Sequence, residues 1–92
     1  METSQTWKEC FNNWPAAVQR RGLLVTSFGE QIPFSGFVTN PGLLLLERTT
    51  PDASGSRFVI LPYTEISAIK IIEPLKQPAL MALGFQGRSS AK

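Results

Sequence analysis

The sequence predicts a mainly β domain, an N-terminal helix followed by five short antiparallel strands strongly bent into a small barrel. Three observations lead there. Apolar and aromatic residues recur at spacings of three and four up to Arg21, and then that pattern stops. From Leu23 onward, short runs rich in strand formers alternate with clusters of Gly, Pro, Asn and Ser. Gly36 stands inside one of those runs, as a glycine does where a strand turns the corner of a small barrel.

The helix comes first. Trp7, Cys10, Phe11, Trp14 and Val18 fall on one helical face, and Thr6 and Glu9 have the spacing of a capping box. Pro15 interrupts, because its ring clashes with the Phe11 carbonyl of a continuous helix. The expectation is a turn or two over residues 6–13, then a cleaner helix from Pro15 to Arg21. Pro15 then takes the first helical position, Gly22 caps the end, and Arg20 and Arg21 favour the dipole in the last turn. The aromatic face reads as a core or interface anchor, since an exposed stripe of this kind is sticky.

The strands follow in order. Leu23–Phe28 is the first, and Gly29–Gln31 supplies its turn. Ile32–Thr39 alternates, placing Ile32, Phe34, Gly36 and Val38 on one face and Pro33, Ser35, Phe37 and Thr39 on the other. Pro33 cannot donate to a ladder, so an edge or a bulge is expected there. Asn40-Pro41-Gly42 is a tight turn by composition. Leu43–Thr50 is the third strand, and residues 51–56 form a polar loop. Arg57–Leu61 and Ile66–Ile72 are the fourth and fifth strands. Leu43–Leu46 and Phe58–Leu61 are apolar on both faces, which asks for a cover over the outer one. Beyond Glu73-Pro74, Pro78–Leu83 has the makings of a helical turn ended by Gly84, and residues 86–92 read as disordered.

Composition removes several function classes. The chain has no histidine and a single cysteine, Cys10, so imidazole base catalysis, a Cys/His zinc site and an internal disulfide are all excluded. Cys10 has no base, Ser54 and Ser56 sit in a loop, and Glu30, Glu47, Glu65 and Glu73 are scattered, so no enzyme, cofactor or metal site is expected. Residues 1–21 mix charged and aromatic residues unlike a secretory signal, and no apolar run is long enough to span a bilayer; a cytoplasmic protein is expected. The net charge of +2 is uneven. Residues 22–73 carry −2, while residues 1–21 carry +1 and residues 74–92 carry +3. A mildly acidic middle weakens any case for nucleic-acid binding made from overall basicity.

The order and spacing of these pieces resemble the Sm-like fold, including the bacterial Hfq branch, over roughly residues 15–73. "AAVQRRG" (Ala16–Gly22) resembles the end of the Hfq helix, and "LLVTSFG" the first strand with its turn. "FSGFV" (Phe34–Val38) is similar to the centre of the first Sm motif, "LLLLER" to the third strand, and "ISAI" (Ile66–Ile69) to the close of the second motif. The resemblance implies an extension over residues 1–14, an Sm-like domain over 15–73, and a tail over 74–92. It also implies departures. The Asp and Asn of the first motif's pore loop are replaced by Asn40-Pro41-Gly42, and the cationic pair of the second motif by Pro62, Tyr63 and Thr64. Gly29 and Gly36 also stand further apart than in the family.

A sheet of this order leaves its fourth and fifth strands as open edges, and pairing them between copies gives a ring of roughly five to seven subunits, the family's range. Phe58, Val59, Ile60, Leu61, Ile69 and Ile71 are the interface candidates. Two functions follow. In the first, single-stranded RNA binds a lateral rim made by Arg20 and Arg21, with Tyr63 stacking a base and Asn40 supplying a polar contact. The plainer readings are two solvated arginines at a helix end, a Tyr63 ring covering the barrel end with its hydroxyl on a backbone partner, which is preferred, and Asn40 as a turn residue, which explains it fully. In the second, the ring has lost RNA binding and acts as a protein-interaction scaffold, using Leu80–Phe85 or an acidic barrel face. Fold-level analogy favours the first. The missing loop residues and the acidic middle favour the second, and the balance of the sequence falls narrowly on RNA binding, with the scaffold as the alternative.

Overall fold

A computed structural model describes residues 3–87 of the chain. Helix α1 (Thr3–Asn12) precedes five strands: β1 (Gly22–Thr26), β2 (Gln31–Thr39), β3 (Leu43–Arg48), β4 (Phe58–Pro62) and β5 (Ile66–Lys70). A 3₁₀ turn, Tyr63–Glu65, links β4 to β5, and a short helix α2 (Gln77–Ala82) follows. The strands form one antiparallel sheet in the order β4-β3-β2-β1-β5. It does not close into a barrel. The consecutive strands β4 and β5 lie at opposite edges.

The core sits on the inner face of this sheet. Leu24, Ile32, Phe34, Phe37, Leu44, Leu46, Leu61, Tyr63 and Ile66 gather there with Phe11 of α1, and Trp7, Trp14, Val59 and Ile69 pack around them. The Phe37 ring meets Phe11 edge-on at 4.9 Å and Trp14 at 5.1 Å, so the aromatic face of the N-terminal segment does anchor the core.

The helix lies earlier than the sequence suggests. It runs from Thr3 to Asn12, with Thr6 and Glu9 in its interior, and residues 15–21 form no helix. Side chains take the backbone partners that a second helix would need. Trp14 Nε1 donates to the Val18 carbonyl at 3.0 Å, and the Gln19 N–H donates to Glu73 Oε1 at 3.0 Å. What remains is a turn in which the Val18 N–H donates to the Pro15 carbonyl.

In β2 the strict alternation fails at its midpoint. The register with β3 shifts between Phe34 and Gly36, so Ile32, Phe34 and Phe37 point inward while Val38 turns out. One extra residue moves everything after it to the other face. Pro33 thus lies beside a bulge, on a strand paired on both sides. Gly36 is held against Glu47, whose Oε2 would lie 3.2 Å from an added Cβ.

The described part of the tail runs to Gly87. In α2, the Gly84 N–H donates to the Met81 carbonyl and the Phe85 N–H to the Leu80 carbonyl, with Gly84 at φ +93°. These bonds make the Schellman stop expected of a glycine after the last turn. The expected disorder of residues 88–92 lies outside the described residues.

Candidate functional site

Tyr63 belongs to the core. Its ring is 4% exposed and its hydroxyl donates to the Asn40 carbonyl at 3.1 Å, while burial pushes the phenol above its ordinary pKa. A ring so enclosed has no free face on which to stack a base. Asn40 is equally occupied. Its Oδ1 accepts the Gly42 and Leu43 N–H groups at 2.9 and 2.7 Å, the Asx turn that closes the β2–β3 hairpin. The two residues proposed for the loop grip therefore hold the loop together.

Arg20 and Arg21 both stand on the surface but face different surroundings. The Arg20 guanidinium lies over the Phe37 ring, 4.6 Å from its centroid, and reaches the Phe37 carbonyl at 3.4 Å. Arg21 instead lines a cleft of about 370 Å³ with Leu23, Pro33, Phe34, Ser35, Thr49 and Ile72. Glu73, bonded to the Gln19 amide, places an acid beside the same turn.

The interface candidates divide by face. Leu61 is buried, and Val59 and Ile69 pack against the core, so their side chains stabilise the sheet from within. Ile71 is half-buried just past β5. Phe58 and Ile60 point outward and are 57% and 62% exposed. Their backbone faces outward as well. The Arg57 carbonyl accepts the Arg48 N–H, so by alternation Phe58 and Ile60 turn their peptide groups to the free edge of β4. The Ser56 hydroxyl already caps the Phe58 carbonyl at 3.0 Å.

Two features escape a reading of the sequence. Val38, Leu45 and Ile60 lie in one cross-strand row on the outer face, and with Leu43 they line a hollow of about 150 Å³. The bulge that exposes Val38 has no signal beyond Pro33 and Gly36. The second is Lys8 of α1. It lines a groove of about 190 Å³ with Ser4 and Gln5, against Pro41, Gly42, Pro62, Tyr63 and Thr64. Its contact with the two loops depends on where α1 docks, which local pattern does not reveal.

Among the described residues, no group of three or more His, Cys, Asp or Glu side chains is gathered to hold a metal ion, and no helix is long and apolar enough to cross a membrane. No family model, curated protein or solved structure matches the chain.

Proposed function

We propose that the chain is the subunit of an Sm-like ring that acts as a protein-interaction scaffold, with the β4 edge of each copy paired to the β5 edge of the next. The open sheet carries this reading. A row of unpaired N–H and C=O groups is a template for another strand, and β4 presents such a row flanked by exposed Phe58 and Ile60. Contact between two different edges of one chain is head-to-tail, so it continues from copy to copy until rotation closes it. A small core gains stability from such closure.

The loop geometry supports a scaffold over an RNA ring. Tyr63 and Asn40 are committed to internal bonds, and Arg20 is stacked on Phe37. RNA binding along Arg20 and Arg21 stands as the second reading because both residues remain on the surface. Ile60→Pro tests the first. It removes an edge donor that faces away from β3 and leaves the β3–β4 ladder in place. Native mass spectrometry should then show an assembly for the unaltered chain and a folded monomer for the variant. An unaltered chain that is monomeric, or a proline variant that assembles equally well, contradicts the reading.

A further inference from the structure

We propose that the cleft beside Arg21 receives the C-terminal residue of a partner polypeptide, with the apolar side chain inside and the free carboxylate on the guanidinium. The inference builds on the scaffold reading above and gives the partner of that scaffold a chemistry.

The cleft is built from the middle of the sheet. Leu23 of β1 and Pro33 of β2 are cross-strand partners, and Ser35, Thr49 and Ile72 complete the walls with Arg21. Leu24, Ile32 and Phe34 are buried on the inner face, so alternation puts Leu23, Pro33 and Ser35 on the outer one. Both β1 and β2 are paired on each side, so no strand can be added here, and the proposed edge pairing uses β4 and β5 instead. A ligand enters this cleft as a side chain or a chain end. Its volume of about 370 Å³ stands near the small limit of ligand pockets, roughly 300–1,000 Å³, which suits one large side chain with its terminal group.

Charge selects an anion. Arg21 makes no ion pair or hydrogen bond with the other described residues, and the Ser35 and Thr49 hydroxyls make no hydrogen bond among them either. Glu73, one residue past Ile72, is engaged by the Gln19 N–H at 3.0 Å. Lys70, the ladder partner of Leu23, adds a second exposed cation on the same face. A guanidinium is a planar fork that meets a carboxylate through two parallel bonds, and hydroxyls can donate to the same group.

The apolar walls ask for an apolar group directly beside that anion. The last residue of a polypeptide supplies both from one Cα, an apolar side chain and a free carboxylate. An internal Asp or Glu carries its charge on the side chain itself and leaves Leu23, Pro33 and Ile72 without an occupant.

Fluorescence anisotropy on the full chain tests the inference. The probes are labelled Gly/Ser hexapeptides: one ending in leucine with a free carboxylate, the same peptide as its C-terminal amide, and one ending in serine. The leucine acid should bind at least tenfold tighter than either control, and Arg21→Gln should weaken it at least tenfold with an unchanged circular dichroism spectrum. Equal binding of acid and amide, which needs no variant to read, overturns the inference, as does no binding of the acid at millimolar concentration. Octanoate bound where the leucine acid is not means that a free apolar acid occupies the cleft, and this overturns the polypeptide partner. Oligouridylate bound through Arg21 without affinity for the leucine acid overturns it in favour of RNA. Native mass spectrometry of the same chain separates the two proposals. An assembly with no affinity for the acid overturns the inference alone, whereas a monomer that binds the acid contradicts edge pairing and upholds the cleft.

Discussion

The Tyr63 hydroxyl and the Asn40 carbonyl tie the 3₁₀ turn to the β2–β3 hairpin, so their chemistry is structural. Tyr63→Phe should cost about 0.5–1.5 kcal/mol in denaturant unfolding, the worth of one hydrogen bond. Tyr63→Ala should cost about 3–5 kcal/mol, as large buried aromatics do. A Tyr63→Phe variant of unchanged stability but altered RNA retention would contradict this assignment. Asp52 gives a second prediction. The Ser56 N–H lowers its pKa most; desolvation opposes this, and Ser54, Arg48 and Gly55 each lower it further, leaving the carboxyl below its ordinary value. A depressed carboxyl contributes order above its unfolded pKa and loses it as pH falls through the folded value. Amide exchange at Ser54 and Ser56 should therefore accelerate only once the pH drops below the ordinary carboxylate range, after allowance for intrinsic rates. Asn40 was readable from sequence because an Asx turn is local. A packed Tyr63 with a bonded hydroxyl was readable too, but not its partner, a carbonyl on a hairpin more than twenty residues away.

Among the elements, β1 is the most tightly constrained. A Cβ on Gly22 would lie 2.6 Å from the Lys70 carbonyl oxygen, closer than real contacts allow. Gly22→Ala should push β5 away from β1 and destabilise the fold by roughly 1–3 kcal/mol, measurable as a lower denaturation midpoint with an unchanged slope. The strands were legible because their period and turn residues agree, from the Gly29 turn to Asn40-Pro41-Gly42. Two element-level expectations failed, each for its own reason. For the helix, side chains decided the backbone, with Trp14 and the distant Glu73 taking the partners of residues 15–21. The bulge after Phe34 moved Phe37 into the core and Val38 out of it. Proline and glycine announced the irregularity but not its direction.

At the scale of the whole molecule, two unlike sheet edges and two unpartnered apolar surfaces sit on one small chain. A monomer would have to keep Phe58, Ile60, Met81 and Phe85 in water together. Assembly resting on strand pairing and apolar burial should persist at high salt. RNA held by Arg20 and Arg21 should instead be lost steeply as salt rises. The sequence conveyed the architecture through strand order and edge composition. It conveyed less of the surface, because exposure of Val38 and docking of Lys8 follow from the fold.

Native mass spectrometry of the purified full chain, without nuclease or a high-salt wash, tests the central claim most directly. Edge pairing of a scaffold gives a single closed assembly of roughly five to seven copies without nucleic acid. Extra mass removable by nuclease would shift the function to the RNA reading while keeping the ring. A monomer at every concentration would contradict edge pairing, and the scaffold with it.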